Sequence, residues 1–358
     1  MEMVIDHARD PLGNALNLHQ ILDRGAADGL GLSVGLSERN FLGRGQFVSV
    51  DLNLGAKFST STISFAEPRF LGRDLRFGFD ASYAQTQSSF AKYDTRIIEI
   101  RPSIEFPVSQ MGRLELSYTA RQSKLFNVSA TDTSPIVQRD AATGGQLASA
   151  IGYRYSWDSR RNGFNDPNAF VLRFGQEFGG IGGDLKYIET TASTIAEFKF
   201  LNEELVLRSE VDIGARAPLS GGTTRVTERF FLDGKMRGFD PFGVGPRDTR
   251  AAYANRDALG GNMFAVARLE AQFPIGFPAE YGILGGAFID VGSVWGLGRI
   301  PEAQTGVVDD KMRARVVAGL SLFWDTPVGP LRFNFTRALK KQPYDKERRF
   351  DLTISTRF

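Results

Sequence analysis

The feature that most constrains this chain is a two-residue hydrophobic rhythm that recurs in segment after segment and almost never gives way to a helical one. Leu30, Leu32, Val34 and Leu36 alternate with small or polar residues, and so do Val48, Val50, Leu52 and Leu54. The pattern returns in Leu75, Phe77, Phe79, Ala81 and Tyr83, in Val316, Ala318, Leu320, Leu322 and Trp324, and in Leu331, Phe333 and Phe335. Successive side chains of a strand point to opposite faces, so each segment has one apolar and one polar face. Each is about 9–11 residues long, the length a tilted strand needs to cross a bilayer.

The connections carry a second signal. Short ones at 40–45, 67–73, 107–111, 201–203 and 326–329 alternate with longer polar ones at 86–94, 126–145, 217–260, 296–311 and 339–347. Membrane barrels place short turns on the periplasmic rim and long loops outside the cell. Rhythm and spacing together predict an all-β fold: a transmembrane antiparallel β-barrel of about sixteen strands, one domain over residues 1–358, with both termini periplasmic. The strands are expected near 14–22, 30–39, 46–57, 58–67, 73–85, 95–106, 112–124, 146–158, 168–178, 185–200, 204–216, 261–274, 282–295, 312–326, 330–338 and 348–358. In the first of these Leu16 and Leu18 alternate, but Gln20 breaks the pattern.

Composition removes other classes. With 42% hydrophobic and 23% charged residues, no apolar run approaches the ~18 residues of a spanning helix. A barrel hides its hydrophobicity by alternation. Phenylalanine (29) and glycine (39) are abundant, as aromatic girdles and twisted strands require, and Trp157, Trp295 and Trp324 sit near strand ends as interface anchors. Cysteine is absent, which excludes thiolate metal sites and suits an oxidising envelope. A net charge of +2 with scattered Lys and Arg gives no nucleic-acid signature. Met1–Asp6 lacks the basic and apolar regions of a signal peptide; a barrel of this kind must be exported, so the chain reads as processed or truncated. His7 and His19 are the only histidines, and no metal or cofactor is expected. With no nucleophile elbow, Walker loop or Rossmann fingerprint, no enzyme is expected either. The one basic cluster, Lys340, Lys341, Lys346, Arg348 and Arg349, reads as a solvated loop or as a contact for lipopolysaccharide phosphates.

The longest loop, 217–260, is too apolar for free surface. It holds Glu228-Arg229-Phe230-Phe231-Leu232-Asp233-Gly234, then Met236-Arg237-Gly238-Phe239, then Gly245-Pro246-Arg247-Asp248. The barrel lumen is the place where it can pack. In the following strand Phe264, Val266, Arg268, Glu270 and Gln272 form the lumen face. In the next, Ile283, Ala287, Ile289 and Val291 meet lipid, which puts Asp290 in the lumen beside Glu270.

Met236-Arg237-Gly238-Phe239 resembles the VRGF motif of the BamA family, with Met236 in place of its valine. Leu259-Gly260-Gly261-Asn262, Phe288-Ile289-Asp290-Val291-Gly292-Ser293-Val294-Trp295 and Trp324-Asp325-Thr326-Pro327-Val328-Gly329-Pro330-Leu331 are similar to that family at the expected spacing. So are Glu38-Arg39-Asn40-Phe41-Leu42-Gly43-Arg44-Gly45, Lys340-Lys341 and the terminal Phe358. The resemblance implies an outer-membrane barrel that helps nascent β-barrel proteins fold and insert through a lateral seam between first and last strands. It implies that Arg237 reaches into the lumen to pair with Glu270 and Asp290, a geometry suited to a forked guanidinium. The seam would involve Leu16, Leu18, Leu352, Ile354, Ser355 and Phe358, with Ser355 standing where the family places a glycine. Implied partners are outer-membrane lipids and lipopolysaccharide, nascent barrels, accessory lipoproteins and, in the full-length protein, POTRA domains. The competing readings are a two-partner secretion translocator or other outer-membrane pore, and a redesigned or trimmed barrel that keeps the architecture without the activity.

Overall fold

The computed structural model describes residues 31–354 apart from 56–57, 88–92, 163–167, 220, 251–256, 299, 301–306, 309 and 327–328. Ten strands lead in: β1 (Gly31–Phe41), β2 (Gln46–Gly55), β3 (Phe58–Glu67), β4 (Arg76–Gln87), β5 (Asp94–Pro107), β6 (Gly112–Phe126), β7 (Gln146–Asp158), β8 (Ala169–Gly183), β9 (Tyr187–Phe200) and β10 (Leu205–Pro218). After the long loop come β12 (Met263–Pro274), β13 (Ile283–Trp295), β15 (Arg315–Thr326), β16 (Gly329–Lys340) and β17 (Phe350–Ile354). The fifteen form one antiparallel sheet in strict chain order, β1 to β17. Two-residue strands β11 (Arg247–Asp248) and β14 (Val307–Val308) pair separately within the loops. Among the described residues β1 pairs only with β2 and β17 only with β16. The expected segment 14–22, with Leu16 and Leu18, and the terminal Ser355 and Phe358 lie outside the described residues.

The two faces divide as alternation demands. Leu36, Ile63, Ile151 and Phe335 are exposed, from 49% to 70%, whereas charged side chains on the other face are buried in pairs. Arg101 bonds Glu115 at 2.6 Å and Arg121 bonds Glu99 at 2.6 Å. An apolar exterior with a polar interior inverts the soluble arrangement and is what a bilayer-spanning barrel requires. The long loop proves the curvature. It bonds Ser123 on β6 through Arg225 (2.6 Å) and forms a β-bridge from Phe239 to Glu347 just ahead of β17. Strands far apart in the sheet order therefore surround one loop.

Strict alternation of long and short connections is not kept. Only two residues separate β2 from β3 and three separate β8 from β9, where the alternation calls for long loops, while ten separate β7 from β8, where it calls for a short turn. A tight hairpin needs only a few residues on either side of a membrane. Gly182 and Gly183 supply positive φ values of 81° and 82° for the second of these hairpins.

The 126–145 loop contains a helix, α1 (Pro135–Ala142). Ser134 caps it, its Oγ accepting from the Ile136 N–H, and Pro135 occupies the first turn, where a missing N–H costs nothing. Ile136 and Val137 are fully buried against Val226, Leu259, Leu297 and Ile300. The helix thus seats on the long loop rather than on water, and the Val226 N–H donates to Asp140 Oδ2 at 2.9 Å.

Candidate functional site

The loop between β10 and β12 enters the interior and turns around Arg237. Strand register sets what it meets. Glu270 sits opposite Phe288 and Asp290 opposite Arg268, so the two carboxylates are diagonal neighbours on the inner face of β12 and β13. Arg237 spans the diagonal. Its Nε and Nη2 donate to Asp290 Oδ2 and Oδ1 at 2.8 and 2.6 Å, and its backbone N–H donates to Oδ2 at 3.1 Å. Nη1 donates to Glu270. The guanidinium carbon lies 3.5 Å from the ring centroid of Phe288, adding a cation–π contact. Asp290 has no exposed side-chain surface and Glu270 has 7%. Burying two carboxylates this deeply is costly unless cations and donors of this quality surround them.

Each neighbour of Arg237 closes the fit. Met236 is buried, and a β-carbon on Gly292 would lie 3.1 Å from its sulfur. Gly238 has φ +84° and faces Val317, where a β-carbon would come within 2.7 Å of Cγ1. Phe239 joins Phe230, Leu232, Met236, Phe264, Phe288 and others in one buried cluster. Full burial of such a side chain typically contributes about 1.5–3 kcal/mol, so apolar packing drives the docking and the ion pairs set its register.

Several participants carry no signal in local sequence. Arg332 on β16 also donates to Glu270, and its Nε donates to Asn334 Oδ1 at 2.9 Å. Arg348, from the basic cluster, turns inward: its Nε meets Asp240 at 3.2 Å and its Nη1 meets Asp351 at 3.3 Å. Lys341 is held by Glu347 at 2.7 Å. Arg315 and Asp345, both with no exposed side-chain surface, bond at 2.9 Å and fasten the last loop. Of the seam residues, Leu352 pairs with Phe333 and Ile354 with Leu331 in register, on the far side of β16 from the Arg237 site.

Beneath the docked loop lies a cavity of about 410 Å³, whose lining includes Arg208, Glu210, Arg268, Arg332 and Asp351. Arg208, Glu210 and Arg332 come from the short-turn halves of their strands. Toward the long-loop rim the interior is filled by the Phe230 cluster and by the helix-capped cluster around Leu259.

A lipid-facing antiparallel sheet wrapped around a salt-bridged loop defines an outer-membrane β-barrel with an occupied lumen. The chain belongs to the Omp85 superfamily, whose domain matches residues 40–358. It is similar to the outer membrane protein assembly factor BamA of Neorickettsia risticii, 29% identical over 310 residues, covering 86% of this chain and 40% of that protein. It is also similar to BamA of Nitratidesulfovibrio vulgaris, 26% identical over 309 residues, covering 85% and 37%. The chain therefore spans about two-fifths of the length of these curated relatives. Among solved structures it is similar to BamA from Haemophilus ducreyi lacking POTRA domains 1–3, with a TM-score of 0.72 at 18% identity, covering 92% of this chain and 68% of that one.

Proposed function

We propose that residues 1–358 form the membrane-embedded barrel domain of an outer-membrane insertase, which assists β-barrel proteins to fold and insert through the seam between its first and last strands. The observation that carries this reading is the docked loop. It fills the interior where a diffusion pore needs open water, and so leaves the strand edges as the working surface. Unpaired backbone groups at such an edge are costly in lipid. An incoming strand satisfies them by adding to the sheet. Leu352 and Ile354 belong to the described last strand; Ser355, Phe358, Leu16 and Leu18, which fall outside the described residues, are assigned to the same seam. Arg237, with Glu270 and Asp290, positions the loop and performs no bond-making chemistry. The partners are nascent barrel proteins, outer-membrane lipids and lipopolysaccharide, with accessory lipoproteins and POTRA domains in the full-length protein.

Two readouts test the reading. The chain is reconstituted into vesicles, and the folding of a urea-denatured eight-stranded barrel is followed by its heat-modifiable gel migration. Faster folding than in empty vesicles is expected. The same preparation in planar bilayers should show no large, steady conductance; a porin-like current without folding activity would favour a translocator or pore.

A further inference from the structure

The tetrapeptide Phe-Leu-Gly-Arg occurs twice, at 41–44 and 70–73, in the turns that follow β1 and β3. The turn after β9 begins the same way, Phe200-Leu201-Asn202-Glu203. In all three the leucine takes left-handed backbone angles, φ +55° at Leu42, +56° at Leu71 and +52° at Leu201. The next residue is left-handed as well, Gly43 at +68°, Gly72 at +70° and Asn202 at +54°. The first two turns close through Gly43 N–H to Asn40 O (2.9 Å) and Gly72 N–H to Arg69 O (3.0 Å). Asn, Asp and Gly suit such positions, and a leucine there is strained. Yet the three leucines are 73%, 76% and 71% exposed, so none is held for packing within the protein. A residue that suits neither its backbone nor water must serve something beyond the chain.

We propose that these turns are lipid anchors: Leu42 and Leu71 enter the interfacial zone of the leaflet at the short-turn rim, and Arg44 and Arg73 bind the phosphates of its headgroups. Continuity with the outer apolar face supports this occupant. Phe70 stacks on Phe77 with centroids 5.2 Å apart, and Phe77 lies 6.4 Å from Phe65, which shares the outward face of β3 with exposed Ile63. Phe41 and Phe200 are themselves 40% and 47% exposed. The leucines therefore extend the lipid-facing belt rather than roofing the cavity.

Charge supplies the second argument. Arg39, Arg44, Arg69 and Arg73 are all exposed at this rim, and an apolar side chain beside a long cationic one is the chemistry of a membrane interface. The two Phe-Leu-Gly-Arg turns are two strands apart, about 10 Å at ordinary strand spacing. They stand at the end of the sheet bounded by β1. The turn after β9 carries Glu203 and Glu204 instead of arginine. It keeps the apolar half of the device without the cationic half.

The chain has no cysteine, which makes the test clean. Leu42→Cys, Leu71→Cys and Leu201→Cys are each labelled with a polarity-sensitive fluorophore, with Ala130→Cys in an exposed segment of a long loop as the aqueous reference. Each labelled chain is placed in phosphatidylcholine vesicles with or without phosphatidylglycerol, and heat-modifiable migration verifies that it is folded. The three turn labels should emit to the blue of the Ala130 label, be quenched at least twofold more by lipids spin-labelled near the headgroup, and resist aqueous iodide. Adding phosphatidylglycerol should deepen the blue shift at 42 and 71 but not at 201, and Arg44→Gln with Arg73→Gln should abolish that increment. Turn labels that behave like the one at 130 overturn the proposal and leave this surface to a protein partner. Lipid contact without any response to headgroup charge overturns the phosphate-binding half.

Discussion

Arg237 holds Asp290 with two guanidinium nitrogens and its own backbone amide, so one carboxylate fixes both the side chain and the backbone of the docked loop. Glu270 takes the remaining terminal nitrogen and is shared with Arg332 of β16. The loop is thereby tied to β12, β13 and β16 at a single point.

Replacing Arg237 by alanine should expose the 217–260 loop to protease while leaving the barrel assembled. Removing one member of a fully buried ion pair typically costs about 3–5 kcal/mol. Arg237 keeps 16% of its side chain exposed, so a loss at or below the lower end is expected. Arg237→Glu should be worse, because it adds a third negative charge beside Glu270 and Asp290. Combining Arg237→Glu with Asp290→Arg should recover part of the protection. Limited proteolysis of the three variants in detergent reads the effect, and unchanged protection in Arg237→Ala would sink the anchoring role.

Gly238→Ala should weaken docking by a different route. Its φ of +84° disfavours any β-carbon, and that atom would lie 2.7 Å from Val317 Cγ1. Strain and overpacking of this kind cost about 1–3 kcal/mol. Adding Val317→Ala should relieve the clash but not the backbone strain, so protection should return only in part. Complete recovery would assign the whole effect to packing.

Period two was enough to locate fifteen strands, because every one of them separates an apolar from a polar face. Parity likewise puts Glu270 and Asp290 on the inner face, where both carboxylates lie. What parity does not contain is register. Asp290 stands opposite Arg268, and the Arg237 guanidinium reaching in from the loop joins it to Glu270. Arg332, Asp240 and Arg348 contribute through contacts across 62 and 108 positions of sequence, which no local pattern encodes. Helix α1 had a readable start in Ser134-Pro135, but eight residues give too little periodicity to stand out from a polar loop. The even rhythm of loop lengths failed at 56–57 and 184–186, since hairpin closure depends on turn chemistry and not on which rim the turn occupies.

Acid should loosen the long-loop end of the barrel through Glu228. Burial opposes its charge, but Arg225 and hydrogen bonds outweigh burial and hold its pKa below the usual 4.5. Its ionised form therefore stabilises the fold above that value, and the contribution is lost as pH falls through the lower folded pKa. Asp257 acts in the opposite sense. Burial raises its pKa, the Ser134 N–H opposes this and the Asp248 charge adds to it, so protonation relieves a cost present at neutral pH. Glu228→Gln should lower loop protection at neutral pH and flatten the acid loss. Asp257→Asn, which keeps an acceptor for Ser134, should raise neutral-pH protection. Proteolysis rates across a pH series separate the two, and an acid loss that survives in Glu228→Gln would remove Glu228 as its cause.

The loop should prove covalently trappable against the segment that leads into the last strand. Phe239 and Glu347 form an isolated antiparallel bridge, flanked by Asp240 N–H to Lys346 O at 2.9 Å and Arg348 N–H to Gly238 O at 3.0 Å. That pattern makes 239 and 347 a non-hydrogen-bonded pair, whose Cα atoms approach to about 4.5 Å. This lies within the range a disulfide spans without backbone movement. Because the chain has no cysteine, Phe239→Cys with Glu347→Cys can form only one intramolecular bond. It should close under mild oxidation and show as a gel shift reversed by reductant. Phe239→Cys alone should lose some protease protection, since it removes a buried ring, and the oxidised pair should regain it. In an Arg237→Ala background the cross-link should still protect the loop, because the bond replaces the lost anchor a few residues away. Two free thiols remaining after oxidation would show that the loop does not lie against residues 345–348 in solution, and would break the link between the Arg237 site and β17.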